Sequence, residues 1–393
     1  MKKYIFLLLI ISLSAVSWAQ ETTDSVSVVP LSERLDSLLR DPMFETSRVG
    51  LMVYDLTADS LVYQLDASQL LRPASTMKLV TAITALDFLG TDYQYRTRLY
   101  YQGDIVNGKL SGDLYCVGGF DPMLTGDDIE AFVECLQEQG IDTLCGRIVI
   151  DNSVKEDVEF GEGWCWDDDK PHLWPLSMGR KDIFVEQLMQ IMVDNGLVLS
   201  EVSKAKGRLP SNAVLICTRF HSIDQVLEPM MKKSDNFYAE SMFYQIAAME
   251  GGRHAKASDA AKVMKRLFRK VGLGHREYRI ADGSGLSLYN YVSAELETAL
   301  LRYAWRNRDI YNHLYPSLPV AGIDGTLSKR MKETAALENV HAKTGTVTGV
   351  SSLAGYCLAA NGHELCFSII NQGIMDSSTG RDFQDRVCHA LCE

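Results

Sequence analysis

Proline is scarce, ten in 393 residues, and neither an internal repeat nor a low-complexity tract is present. These absences exclude collagenous, linker-like and repeat architectures. Positive charge is also in deficit: 39 Lys and Arg stand against 51 Asp and Glu, a net charge of −12. Such a chain offers no basic field for a nucleic-acid backbone or an anionic membrane surface, so polyanionic partners are not expected. What the chain does have is 46% hydrophobic residues, enough to bury one or two sizeable cores.

The head of the chain reads as an export signal. Lys2 and Lys3 precede the apolar run Tyr4–Leu13, and the small residues Ser17 and Ala19 flank Trp18. The apolar run is well short of the roughly 20 residues that span a bilayer, so cleavage after Ala19 is expected rather than a membrane anchor. An acidic protein delivered to the periplasm or secreted follows from that reading.

Nine cysteines in an exported chain permit disulfides, and the odd number leaves at least one thiol free or paired with another chain. Ser351–Ala360 and His363–Ile370 are two apolar-rich runs joined by Asn361-Gly362, a dipeptide favoured in two-residue type I′ hairpins. Counted outward from such a turn, Cys357 faces Cys366 on one side of the sheet, either bridged or as two small buried thiols packed together. Cys388-His389-Ala390-Leu391-Cys392 has metal-capable side chains but no second ligand cluster, so neither a metal nor a cofactor is expected.

Pattern changes divide the chain. Leu31–Leu39 has helical spacing, Val49–Tyr54 and Ser60–Gln64 read as an antiparallel strand pair, and Pro73 opens a helix-compatible segment that Gly90 stops. From about 95 to 225, short strand candidates with frequent Gly and Asp take over, such as Gly112–Gly119 and Gly146–Asp151. Helical patterning returns at Asn236–Glu250 and Ala257–Val271, and the chain closes with the hairpin and a helix-like end, Gly380–Leu391. Strands at both ends with helices between predict an α/β (α+β) fold in which the termini complete one sheet and the middle is an insertion.

Three short motifs carry chemistry. Ser75-Thr76-Met77-Lys78 sets a hydroxyl and an amine three residues apart, on one face of a helix start. Serine becomes a nucleophile when a base takes its proton, and a lysine can do so once desolvation or nearby positive charge lowers its pKa. Ser203-Lys204-Ala205-Lys206 has the same interval in a polar segment and reads as solvated surface. Ser75 differs by its apolar setting behind Pro73, and by the company of Ser234-Asp235-Asn236 and Lys343-Thr344-Gly345. Ser234 can relay a proton to a leaving amine, and Asn236 can donate to a substrate amide. Lys343 adds charge that depresses the Lys78 pKa and attracts a carboxylate, which Thr344 can also hydrogen-bond. Gly345 lets a substrate lie along a strand edge, and the Thr346 backbone N–H can complete an oxyanion hole with that of Ser75.

This S-x-x-K, S-D-N, K-T-G trio is that of β-lactamases and penicillin-binding proteins. The sequence resembles most the low-molecular-mass class C penicillin-binding proteins, serine peptidases that act as D-alanyl-D-alanine carboxypeptidases and endopeptidases. Pro73–Leu79, Gly112–Tyr115 with Gly118–Pro122, Ser234–Glu240, Asp282–Ser287, Gly325–Leu327 and Lys343–Thr346 look like that branch's blocks in order, over roughly residues 30–375. The resemblance implies a penicillin-binding/β-lactamase-like transpeptidase domain, an antiparallel sheet flanked by helices, at 20–94 and 226–393, with a strand-rich inserted domain at 95–225. It implies action on peptidoglycan stem peptides through a Ser75 acyl-enzyme, and β-lactam antibiotics as covalent inhibitors. Trp164-Cys165-Trp166-Asp167 resembles the inserted segment whose Trp and Asp, here Trp164 and Asp167, line a pocket for the free amine of the stem-peptide side chain. After Asp282–Ser287 the relatives usually carry Arg, and Leu288 here removes a cation from that pocket.

Two other readings share these residues. A β-lactamase of class A would place a Glu-x-x-x-Asn pair between the second and third motifs, and none stands between Asn236 and Lys343. A non-catalytic peptidoglycan-binding protein would keep the fold without turnover, against which all three motifs are intact.

Overall fold

The computed structural model describes residues 29–168, 171–274 and 276–393, so the expected export signal at 1–19 lies outside the described residues. Helix α1 (Leu31–Leu38), strands β1 (Arg48–Asp55) and β2 (Ser60–Leu65) and helix α2 (Met77–Phe88) come first. Next are β3 (Gln94–Val106), β4 (Lys109–Val117), α3 (Gly126–Glu138), β5 (Thr143–Cys145), β6 (Arg147–Asp151), α4 (Phe184–Asp194), β7 (Val198–Leu199), β8 (Ser203–Lys206) and β9 (Val214–Ser222). The rest is α5 (Ile223–Lys232), α6 (Asn236–Gly251), α7 (Ala257–Lys270), α8 (Ala294–Arg306), α9 (Arg308–Ser317), β10 (His341–Val347), β11 (Val350–Leu358), β12 (Glu364–Gln372) and α10 (Ser377–Cys392).

The two ends of the chain share a five-stranded sheet ordered β10-β11-β12-β1-β2, antiparallel throughout. β1 pairs with β12 so that Gly50 faces Ile370 and Val53 faces Phe367. β11 and β12 are buried on both faces, which is why they read as nearly unbroken apolar runs rather than as alternating ones. Leu353, Phe367 and Ile369 pack towards α1 and α10, whereas Ala354, Tyr356 and Ile370 join the core that includes α2, α6 and α8. Truncating a fully buried ring such as Phe367 to alanine costs about 3–5 kcal/mol.

Helix α2 is predominantly apolar, and every residue from Met77 to Leu86 is buried. Such a helix belongs inside a core, and this one carries Lys78 into the interior with it. Residues 94–222 form a separate mixed sheet, in which β3 pairs antiparallel with β4 and β9 while β4 runs parallel to β5 and β6. Its inner face packs on α3 and α4 around Phe132 and Phe184. No helix among the described residues is long and apolar enough to cross a membrane.

One expectation is corrected. Leu358 faces Glu364 and Tyr356 faces Cys366, one residue out of the expected register. Gly362 takes φ +82° and Ala359 N–H donates to the His363 carbonyl, a three-residue connection with a left-handed glycine instead of a two-residue type I′ turn. A one-residue shift sends alternate side chains to opposite faces. Cys357 therefore lies in the core beneath α10 and Cys366 in the core on the other side, and both are free thiols.

Candidate active site

Pro73 leads into a single 3-10 turn, Ala74–Thr76, from which α2 continues. Ala74 takes φ +50°, a strained value for a residue with a Cβ, and so aims Ser75 out of the helix start. The surroundings enforce it. A Cβ on Gly285 would lie 1.7 Å from the Ala74 carbonyl oxygen, so only glycine lets that loop pass beneath the nucleophile. From above, the Pro73 carbonyl accepts bonds from Ser352 Oγ at 2.5 Å and Thr76 Oγ1 at 2.8 Å.

Lys78 is fully buried, and its Nζ donates to Ser75 Oγ at 2.9 Å, Asn236 Oδ1 at 2.8 Å and the Ser284 carbonyl at 2.8 Å. Three bonds satisfy its three N–H groups without a carboxylate in contact. Burial pushes its pKa down to about 8, against the upward pull of Asp282, Glu240 and Asp235. With its pKa near 8, a minor fraction of the amine is neutral at pH 7 and the fraction grows as pH rises, and the amine is held against the Ser75 hydroxyl.

The second motif sits where α5 turns into α6. Ser234 takes φ +58°, Asp235 caps α6 by accepting from Phe237 N at 2.9 Å, and Asn236 opens the helix. Asp235 also binds Arg180 from the inserted region at 2.5 Å. The third motif is β10. Lys343 is buried, donates to Ser234 Oγ at 2.8 Å and to the Thr344 carbonyl at 2.7 Å, and has its pKa pushed well down by burial and by the Lys78 charge. Thr344 Oγ1 bonds Thr326 Oγ1 at 2.7 Å. A Cβ on Gly345 would lie 2.8 Å from Ser75 N, so β10 passes directly beside the nucleophile's amide and Thr346 follows on the same strand. The folded chain thus brings Lys78, Ser234, Asn236, Lys343, Thr344 and Gly345 together beside Ser75.

Trp164 and Asp167 fare differently. Trp164 is half-buried against the main core, and its indole N–H donates to Asp282 Oδ2 at 2.8 Å, so that donor is spent inside the protein. Asp167 is exposed, with its carboxylate close to the ligand atoms of Cys165 and Asp168. The turn carrying both docks on the 282–289 loop: Ser287 Oγ donates to the Glu162 carbonyl at 2.6 Å.

Sequence reasoning gave no role to the groups that hold this loop. Glu240, fully buried, accepts from Ser284 N at 2.8 Å and Gly283 N at 3.1 Å, and burial followed by the Asp282 charge pushes its pKa up. Asp282 accepts from Gly285 N, Ser287 N and Asn290 Nδ2. Together these acids fix the Ser284 carbonyl against Lys78. Both residues stood inside recognisable sequence blocks, which was the available signal.

The family model for D-Ala-D-Ala carboxypeptidase 3 (S13) matches residues 31–207 and 182–392. The D-alanyl-D-alanine carboxypeptidase DacB of Haemophilus influenzae is 26% identical over 94% of this chain and 94% of its own length. A D-alanyl-D-alanine carboxypeptidase from an Actinomadura species is 27% identical over 93% of this chain and 85% of its own. Among solved structures, penicillin binding protein 4 (dacB) from Haemophilus influenzae superposes with a TM-score of 0.82 at 24% identity, covering 91% of this chain and 98% of that one. That likeness establishes the fold.

Proposed function

The chain belongs to the D-Ala-D-Ala carboxypeptidase 3 (S13) family, and from that premise we propose that it is a serine D-alanyl-D-alanine carboxypeptidase and endopeptidase that cuts peptidoglycan stem peptides through an ester on Ser75. The observation that carries this reading is the buried Lys78 amine, free of any bonded carboxylate and 2.9 Å from Ser75 Oγ.

Neutral Lys78 takes the Ser75 proton as Oγ attacks the carbonyl of the penultimate D-alanine. The backbone N–H groups of Ser75 and Thr346 hold the oxyanion, and Asn236 positions the substrate amide. Lys343 and Thr344 receive the terminal carboxylate, a bond that an amidated peptide would forfeit. The proton then returns through Lys78 and Ser234 to the leaving amine, which is D-alanine in the carboxypeptidase reaction and the side-chain amine of the partner peptide in the endopeptidase reaction. Water hydrolyses the ester. A β-lactam follows the same first step, but its leaving amine stays tethered and the acyl-enzyme persists.

In this reading 20–94 with 226–393 is the catalytic domain and 95–225 an inserted wall of the cleft. Asp167, exposed beside the Trp164 turn, is the anionic partner for the amine of the stem-peptide side chain. Residues 1–19 direct export, which puts the enzyme in the periplasm or outside the cell, where its polymer lies.

Incubation with benzylpenicillin should add one acyl group per chain, at Ser75 by peptide mass mapping, and purified cell-wall sacculi should release D-alanine or monomeric muropeptides. Rapid turnover of a chromogenic cephalosporin without a stable adduct would replace this reading with the β-lactamase one.

A further inference from the structure

The helices that begin at the active site end at a second polar cleft. α2 and α6 start at Met77 and Asn236 and finish near Leu89 and Met249, which line one wall of a cleft of about 740 Å³. At ~1.5 Å per residue, the 12-residue α2 separates this cleft from Ser75 by about 18 Å. The opposite wall is the outer face of the inserted sheet. Along β3, Tyr95, Thr97 and Leu99 are buried, while Arg96 and Arg98 alternate with them and line the cleft. Two residues apart on one strand face, these side chains start about 7 Å from each other.

Several arginines of the molecule pair with acids, as in Arg147 with Asp113, Arg219 with Asp128 and Arg266 with Glu250. The side chains of Arg96 and Arg98 make no hydrogen bond or ion pair among the described residues, and Asp92 in the same lining is bonded to neither. The phenol of Tyr93 lies within electrostatic reach of both cations. The carbonyl ends of α2 and α6 add partial negative charge to the far wall, worth about half a unit each against two full positive charges. Two neighbouring guanidiniums repel each other until an anion arrives, and their planar forks match carboxylates.

We propose that this cleft is a second binding site, one that takes carboxylates of peptidoglycan stem peptides and holds a neighbouring peptide of the polymer while another is cut at Ser75. The inference deepens the function proposed above and rests on it. Penicillin acylation, measured first, reports on that function alone; binding to the already acylated protein reports on the cleft alone. The probe is a stem tripeptide without D-Ala-D-Ala, offered to benzylpenicillin-acylated protein in a calorimeter. The expected result is saturable binding, weakened at least about tenfold by amidating the tripeptide's carboxylates or by Arg96→Ala with Arg98→Ala, and partly kept by Lys at both positions. The alanine double variant should raise KM for sacculi and leave kcat on a short soluble pentapeptide unchanged. Failure of the tripeptide to bind the acylated protein would overturn the proposal. So would equal binding to the double variant at an unchanged thermal midpoint, or displacement of the tripeptide by inorganic phosphate at equal concentration, which would mark a generic anion site.

Discussion

The chain contains two Ser-x-x-Lys segments, and their contrast isolates what makes one of them chemical. Ser75 and Lys78 lie across a 3-10 turn and the start of α2, and their side chains meet at 2.9 Å. Ser203 and Lys206 lie on β8, a short strand whose alternation sends residues three apart to opposite faces. Lys206 there lies over the Trp174 ring instead. The same spacing gives contact or separation according to backbone period. Burial alone does not make the difference either. Lys155 is buried, and its pKa is also pushed down to about 8 by burial, yet its Nζ donates to the Glu156 and Val158 carbonyls and lies over Tyr244 and Trp174, with no hydroxyl to deprotonate. A lowered pKa and a hydroxyl within reach are both required.

The largest test of that contrast is the pair Ser75→Ala and Ser203→Ala. The first should abolish penicillin labelling and lower peptide cleavage by at least about 10⁴-fold, while the second leaves both at wild-type levels. Lys78→Ala should cost nearly as much, and the Ser75/Lys78 double variant no more than either alone, because nucleophile and base act as one unit.

Next comes the pH profile. Acylation needs neutral Lys78, so its rate should climb as pH rises towards about 8 and level off above. The acids Asp282 and Glu240 raise the Lys78 pKa. Glu240→Gln, which keeps an oxygen for the Gly283 and Ser284 amides, should therefore move the midpoint to lower pH. Stopped-flow acylation by benzylpenicillin reads it, and a midpoint that stays put would remove Glu240 from the electrostatics of the base. A smaller effect is expected from Gly285→Ala. Its Cβ would meet the Ala74 oxygen in a residue already at φ +81°, so the nucleophile turn must shift. Stability should fall by about 2–4 kcal/mol in denaturant titration, with acylation slowed about 10- to 100-fold.

Much of the site was legible because its side chains are rare groups in fixed short spacings: Ser75 with Lys78, Ser234 with Asn236, Lys343 with Thr344. Its framework was less so. The Ser284 oxygen that accepts from Lys78 is backbone, and any residue could provide it. The positive φ of Ala74 and Ser234 likewise leaves no mark on residue type. Trp164 stood out only through the resemblance of its segment, and its bond to Asp282 leaves no mark on residue type either. For the fold, the strands at the two chain ends were readable from their apolar runs, whereas register depended on turn type.

That dependence leads to the smallest prediction, because the chain uses the Asn-Gly dipeptide in two hairpins with different outcomes. At Asn107-Gly108 both residues take positive φ, +50° and +79°, and Val106 faces Lys109 across a two-residue turn. At 361–362 only Gly362 does, with nothing within 4 Å of the place an added methyl would occupy, and Leu358 faces Glu364. Asparagine tolerates the left-handed region better than other side chains, so Asn107→Ala should destabilise by about 1 kcal/mol. Asn361→Ala loses only an exposed bond to the His363 amide and should stay within about 0.5 kcal/mol. Gly362→Ala should cost about 1 kcal/mol through backbone strain alone. All three should leave penicillin acylation unchanged. Equal losses at Asn107 and Asn361 in thermal unfolding would restore the two-residue turn at 361–362 and, with it, Cys357 opposite Cys366.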